Sequence, residues 1–150
     1  QDDPAYAKKA QRIGALARDV SEVVAAEQAA LVQLLQKSAS ARRHKLAFHS
    51  PCSLQHGLKI RGVVEALLIA AGFDLTPVAD AHLCCGSAGT YSILQPEISR
   101  RLRGQKLAAL LNGQPVGIAS ANIGCIAHLQ AGTGVPIKHW IEWIDNKLMQ

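Results

Sequence analysis

The chain has 150 residues, of which 49% are hydrophobic and 18% charged, so it is long and apolar enough to form one domain around a buried core. No apolar run reaches the roughly 18 to 20 residues of a membrane span, and the N-terminus lacks the apolar centre of a signal peptide, which favours a cytoplasmic protein. The formal net charge is +5, but the basic residues form short clusters and aromatics are only 4%, which argues against nucleic-acid binding.

The first 40 residues are expected to be helical. Residues 1–18 have helical character, and “DVSE” fits a capping box in which Asp19 accepts a backbone hydrogen bond and Glu22 reaches back. A second helix would then run to about Lys37. Its apolar stripe is expected to pack on the domain beside it and consists of Val20, Val24, Leu31, Leu34 and Leu35. We therefore divide the chain into an N-terminal helical segment, residues 1–40, and a second domain, residues 41–150.

From residue 44 onward, short apolar runs alternate with helical patterns, as expected for βαβ units with a parallel sheet. The predicted strands are “KLAFH”, “LTPVA”, “VGIAS” and “PIKH”. Helices are predicted over 58–71 and 91–112, after Asn122, and at “WIEWIDNKL”. The face expected to be buried on the 91–112 helix contains Leu94, Ile98, Leu102, Leu110 and Leu111. The predicted fold is α/β: a short parallel sheet of about four strands with helices on both faces, preceded by one or two N-terminal helices.

The four cysteines follow the predicted strands. Cys52 follows the first strand, Cys84 and Cys85 the second, and Cys125 the third. Because the carboxyl ends of parallel strands meet at one edge of the sheet, these thiols are expected to converge. Four cysteines are too few for a disulfide scaffold, and their use as metal ligands or in redox chemistry is favoured.

The histidines supply further candidates. His128 lies one helical turn beyond Cys125 in “CIAH”, a familiar metal-ligand spacing, so we include it among the metal ligands. His49, His82 and His139 lie near the predicted strand ends or beside a cysteine. Each could donate a hydrogen bond to a ligand or carry a proton.

Three uses of the paired cysteines remain open on the residues alone. Adjacent thiolates suit a polynuclear iron–sulfur centre, because one loop then offers two ligands. A zinc-binding structural or docking domain could use the same thiolates with His128, without redox activity. A thiol–disulfide enzyme is the weakest alternative, since neighbouring cysteines pair only with strain.

The motifs around the cysteines also resemble a known family. “HSPCS”, “HLCCGSAGTYS” and “CIAH” resemble the cysteine-rich domain named for its Cys-Cys-Gly motif, which occurs in heterodisulfide reductases, lactate-utilisation proteins and glycolate oxidase iron–sulfur subunits. The longer stretches “CCGSAGTYSILQPEISRRLRGQKLAAL” and “SANIGCIAHLQAGTGVPIKHWIEW” are similar to the C-terminal part of the glycolate oxidase group.

This resemblance implies an electron-transfer domain in an oxidoreductase complex that oxidises glycolate to glyoxylate. The implied cofactor is an iron–sulfur cluster, such as 4Fe-4S, held by Cys52, Cys84, Cys85 and Cys125. FAD would be bound by partner subunits and not by this chain. The implied partners are those flavin subunits and the rest of its own chain, and the complex could associate peripherally with the inner face of the cell membrane.

The sequence departs from the family pattern at its last motif. Heterodisulfide reductases have C-x-x-C there, whereas this chain has Cys125 followed by His128. A five-cysteine centre therefore cannot be transferred to this chain unchanged.

Overall fold

The computed structural model describes residues 3–37 and 43–149. The expected boundary between residues 40 and 41, and the first two residues of the predicted first helix, lie outside these described residues. The strands are β1 (His44–His49), β2 (Phe73–Leu75), β3 (Gly117–Ser120) and β4 (Ile137–His139). The helices are α1 (Pro4–Leu16), α2 (Val20–Ala26), α3 (Gln28–Lys37), α4 (Val63–Ala70), α5 (Tyr91–Leu94), α6 (Pro96–Leu111), α7 (Ile123–Gln130) and α8 (Trp140–Leu148).

The four strands form one parallel sheet in the order β2-β1-β3-β4. The predicted α/β fold is confirmed. The chain moves outward from β1 to β2 on one side and returns to β3 on the other, so the direction of winding changes between β1 and β3. In open α/β sheets, ligands bind beyond the carboxyl ends of the strands at such a switch point. His49 and Ser120 end these two strands and are paired in register.

Two apolar cores cover the two faces of the sheet. Because side chains alternate along a strand, Leu46 and Phe48 of β1 join one core, and Ala47 joins the other. The first core is completed chiefly by α4 and α8. The second takes Leu107 and Leu110 from α6 and further side chains from α7. Helices therefore lie on both faces, as predicted.

The N-terminal helices differ in how they pack. The predicted capping box at Asp19 is present, with Glu22 accepting the Asp19 backbone N–H. The expected second helix is broken at Glu27 into α2 and α3. Of the predicted stripe, Val24, Leu31 and Leu35 pack on the first core, whereas Val20 and Leu34 are exposed. Helix α1 has no buried residue within the described part of the chain.

The second strand lies earlier than predicted. “LTPVA” was expected to be extended, but β2 comprises Phe73–Leu75. Thr76 still donates its N–H to the carbonyl of Leu46, and the next residue, Pro77, has no N–H to continue the ladder. Cys84 and Cys85 therefore follow β2 through a loop and not directly.

Two helix predictions also require correction. The 58–71 helix begins only at Val63, after a short π-helix, Ser53–Gly57. The 91–112 helix is divided into α5 and α6 at Gln95, just before Pro96. Leu94 and Ile98 are exposed, contrary to the expected face. The buried residues of α6 are instead Ser99, Lys106, Leu107 and Leu110.

None of the helices formed by residues 3–37 and 43–149 is both long and apolar enough to cross a membrane.

His139 caps α8 and makes stability depend on pH. Its Nδ1 accepts the backbone N–H of Ile141 at 3.3 Å, an acceptor role that a protonated Nδ1 cannot fill. Burial lowers the pKa of His139, and the nearby carboxylates of Glu142 and Asp19 oppose that shift. The unfolded chain therefore binds a proton at higher pH than the folded chain, and the stability contributed by neutral His139 is lost as pH falls below about 6.5.

We expect the free energy of unfolding to fall between pH 7.5 and pH 5.5, and to fall less in His139→Asn. Asparagine can accept the same capping hydrogen bond without titrating. Urea unfolding at the two pH values checks this. Equal losses of stability in the two proteins would show that His139 is not responsible.

Candidate metal centre

A cleft of about 390 Å³ lies at the carboxyl edge of the sheet and contains all four cysteines in its lining. All four are free thiols. They stand on the segments that follow β1, β2 and β3, so the predicted convergence at one edge is present. The alternation of strands and helices was enough to predict this convergence, because a parallel sheet brings the segments after its strands to one edge. This holds even though the loop that carries Cys84 and Cys85 is longer than expected.

Three buried donor atoms lie close together, two of them on cysteines that line the cleft. His49, Cys85 and Cys125 are all buried, and one ring nitrogen and the two sulfurs all lie within 4.8 Å of one another. The sulfurs of Cys85 and Cys125 are 3.2 Å apart. We refer to these three residues as the inner group.

The inner cysteines differ in their acidity. The hydrogen bond with Cys125 is the main cause that lowers the pKa of Cys85 to about 4, and His49 and a backbone hydrogen bond from Ser87 add to it against the effect of burial. The same hydrogen bond and burial raise the pKa of Cys125. Cys85 is therefore a thiolate near neutral pH in the metal-free protein, and thiolate is the form that ligates metal.

Cys52 and Cys84 form an outer pair. Cys52 is exposed just before the π-helix, and Cys84 is half-buried. Burial and the neighbouring Cys84 raise the pKa of Cys52. The Sγ of Cys84 accepts the backbone N–H of Gly86 at 3.3 Å, which fixes its position in the loop.

Gly86 makes the sharp turn that places the adjacent cysteines. Its φ is +91°, and a Cβ there would overlap the backbone carbonyl oxygen of Ser99 on α6. Ser99, itself buried, donates its Oγ hydrogen to the Gly86 carbonyl at 2.7 Å. The loop that carries Cys84 and Cys85 therefore packs against α6, and its backbone conformation at Gly86 favours glycine.

Cys125 is positioned by the start of α7. Asn122 caps this helix, and its Oδ1 accepts the backbone N–H groups of Gly124 and Cys125 at 2.9 and 3.2 Å. The predicted helix start after Asn122 is therefore present, and it places Cys125 in the first turn, at the carboxyl edge of the sheet.

The other predicted histidines lie apart from the inner group. His128 Nε2 is 3.2 Å from Ser99 Oγ, so this ring contacts the residue that supports Gly86. His82 is exposed in a separate cleft with Arg61 and Glu65. His139 caps α8 as described above. Among the described residues, His49 is the histidine whose ring lies beside two of the cysteine sulfurs.

Lys106 was missed in the sequence analysis. Its side chain is buried, and its Nζ donates to the carbonyls of Asp80 and Ala81 at 2.9 and 3.2 Å, in the loop before Cys84. Burial lowers the pKa of Lys106, and the neighbouring cysteines oppose this shift. A signal was present in the sequence, because Lys106 stands four residues from both Leu102 and Leu110 on the predicted apolar face.

Replacing Lys106 by methionine is expected to destabilise this loop. The change keeps the apolar stem and leaves two carbonyls without their charged donor, which costs about 1–3 kcal/mol in the free energy of unfolding. Urea unfolding measures the loss. Arg101→Met, on an exposed position of the same helix, is the matched control and should stay within about 0.5 kcal/mol of wild type. Equal stabilities of the two variants would contradict the anchoring role of Lys106.

The donor set fits a metal centre with soft ligands. Four thiols and one imidazole converge, and thiolates select iron–sulfur clusters, zinc and cuprous copper over hard cations. Both ring nitrogens of His49 are buried without a hydrogen bond of standard geometry among the described residues, which is unusual for a polar group with no further role. The cleft therefore has both the chemistry and an unsatisfied group that a bound centre would complete.

Comparisons with known proteins agree with this chemistry. The family model described as “CCG: Cysteine-rich domain” matches residues 46–130, which include all four cysteines. The chain is 45% identical over 99% of its length to the glycolate oxidase iron-sulfur subunit of Escherichia coli (strain K12), of which it covers 35%. It is 25% identical over 98% of its length to lactate utilization protein A of Bacillus licheniformis, of which it covers 62%. The chain thus spans less than two thirds of these curated relatives.

Proposed function

The chain belongs to the CCG family of cysteine-rich domains, and from this membership we propose that it is an iron–sulfur electron-transfer domain of a glycolate oxidase complex. The observation that carries the proposal is the cleft lined by four free thiols, two of which lie beside the buried imidazole of His49. The 45% identity to a protein named as a glycolate oxidase iron-sulfur subunit supports glycolate as the source of electrons.

In this proposal Cys52, Cys84, Cys85 and Cys125 hold the cluster. The cluster, when bound, accepts and releases single electrons. The chain itself supplies the thiolates, with Cys85 already ionised, and buries one side of the centre against the second core. Gly86, Ser99 and Lys106 hold the loop that carries the adjacent cysteines.

The rest of the reaction belongs to partners. Oxidation of glycolate to glyoxylate releases two electrons and two protons, which a flavin on a partner subunit can take up together and pass on as single electrons. The partners are then the flavin subunits and the remainder of this chain's own protein, in the cytoplasm or at the inner face of the cell membrane. The outer pair, Cys52 and Cys84, lies on the accessible side of the cleft, where an electron donor could approach.

The test uses the full-length protein in its complex with the flavin subunits. Glycolate is added anaerobically, and the reduction of each centre is followed by visible absorbance and electron paramagnetic resonance (EPR). We expect a signal that appears on glycolate addition in the wild type and is missing in Cys84→Ser. Reduction of the flavin with an identical set of cluster signals in both proteins would contradict the proposal.

A zinc-binding structural domain is the second candidate, and the inner group favours it. Three donor atoms within 4.8 Å of one another suit a single tetrahedral ion with metal–ligand distances of about 2.0–2.3 Å. Such a domain would contain zinc without labile sulfide and would not change its absorbance on reduction. Metal analysis of the full-length protein with and without Cys84→Ser separates the two candidates, because the variant loses iron and sulfide in one case and zinc in the other.

A further inference from the structure

We propose that His49 is a direct ligand of the metal centre, beside Cys85 and Cys125, an inference that rests on the proposed iron–sulfur function. The sequence placed His49 only near the site, and His128 was the expected histidine ligand. In this assignment His49 is the metal ligand, and His128 lies near the centre without binding the metal.

The burial of His49 is the first support. Its side chain is 2% exposed, and neither ring nitrogen makes a hydrogen bond of standard geometry among the described residues, although the ring interacts with the neighbouring Cys85 sulfur. Leaving a buried polar group unsatisfied costs about 1–3 kcal/mol, so native proteins seldom retain one without another use. A metal ion provides the missing partner for one nitrogen.

The position of the ring is the second support. His49 is the last residue of β1, two positions after Ala47, so both side chains lie on the face of the sheet that carries the second core. Cys85 and Cys125 belong to that same core. The strand therefore brings the ring to the two sulfurs, with all three donor atoms within 4.8 Å.

The neighbouring strand offers a partner for the second ring nitrogen. Ser120 ends β3 and is the register partner of His49. Its hydroxyl is also buried without a hydrogen-bond partner among the described residues. Metal-ligating histidines usually donate their other ring N–H to a nearby acceptor, and a serine hydroxyl can serve in that role.

His128 is already engaged elsewhere. Its Nε2 lies 3.2 Å from the Ser99 hydroxyl, which in turn supports Gly86. In this assignment His128 positions the loop through Ser99, and His49 binds the metal. Histidine in place of cysteine makes the centre less anionic and raises its reduction potential, as in clusters with mixed ligands.

The test is isotopic and needs no substitution in its first step. The full-length protein is produced with natural-abundance and with ¹⁵N-labelled histidine, and the reduced centre is examined by pulsed EPR. We expect a strong nitrogen coupling that changes with the label. In His49→Cys the coupling should be lost and the midpoint potential should shift downward, whereas His128→Gln should keep the coupling.

The possible results distinguish a failure of the His49 assignment from a failure of the proposed electron-transfer function. A cluster signal of full intensity without a label-dependent nitrogen coupling overturns the assignment and leaves the electron-transfer function intact. A coupling that disappears in His128→Gln and persists in His49→Cys overturns it as well. Iron and labile sulfide contents that are unchanged by Cys84→Ser would overturn the proposed function and the assignment together.

Discussion

Cys84→Ser is expected to lower the occupancy of this metal centre by more than about tenfold and to abolish glycolate-dependent electron transfer, with no loss of fold. A serine hydroxyl stays protonated near neutral pH and binds iron poorly. Changing a group that only hydrogen-bonds to a metal ligand already costs about 10–100-fold in affinity or activity, so replacing a ligand should cost at least as much. Cys84 is half-buried on the rim of the cleft, so the substitution leaves both cores unchanged.

Cys85→Ser should lose metal equally and also lose stability. Cys85 is 1% exposed and belongs to the second core. Serine there buries a hydroxyl among apolar side chains, at a cost of about 1–3 kcal/mol. Cys84 is therefore the cleaner position for testing ligation.

Iron, labile sulfide and glycolate-dependent dye reduction are measured together with urea unfolding in both variants. Ser53→Ala, which alters another residue of the cleft lining, is the matched control and should retain its metal. Full metal and full activity in both cysteine variants would show that this loop is not part of the redox centre.

Gly86→Ala is expected to destabilise the protein by about 2–5 kcal/mol. Two costs combine at this residue: a φ of +91° that non-glycine residues rarely adopt, and a Cβ that would overlap the Ser99 carbonyl oxygen. The loop must then move away from α6, which breaks the hydrogen bond from Ser99 and displaces both adjacent cysteines. Metal binding should weaken with it.

Gly89→Ala is the matched control because it isolates the conformational cost. Gly89 also has a positive φ, +60°, but a Cβ there meets open space. Its loss in the free energy of unfolding should be about 1 kcal/mol. Similar losses in the two variants would mean that contact with α6 does not shape the cysteine loop.

The sequence was informative where a local pattern reports directly on geometry. Short apolar runs that alternate with helical segments predicted the parallel sheet. The topology of that sheet brings Cys52, Cys84, Cys85 and Cys125 to one edge. The capping residues Asp19 and Asn122 were recognisable because their side chains act within three residues of themselves. The helix caps depend on hydrogen bonds between residues close in sequence, and the sheet is indicated by a pattern that recurs along the chain.

The remaining features depend on contacts between distant residues. The environment of His128 is set by Ser99, a residue 29 positions before it that no motif marks. The C-x-x-H spacing drew attention to His128, but it carries no information about this contact with α6. The strand prediction at “LTPVA” failed because Pro77 ends the ladder, although the apolar pattern continues past it.

The most direct measurement is the content of iron, labile sulfide and zinc in the full-length protein purified without oxygen, with and without the Cys84→Ser change. Relatives of this domain are longer than the chain, so other parts of the protein can contribute clusters, and the difference between the two proteins isolates this one. We expect the wild type to contain more iron and more sulfide than Cys84→Ser, with the excess of iron equal to the excess of sulfide, and to show an additional EPR signal after reduction. Identical iron and sulfide in both proteins, with zinc lost from the variant, would contradict it.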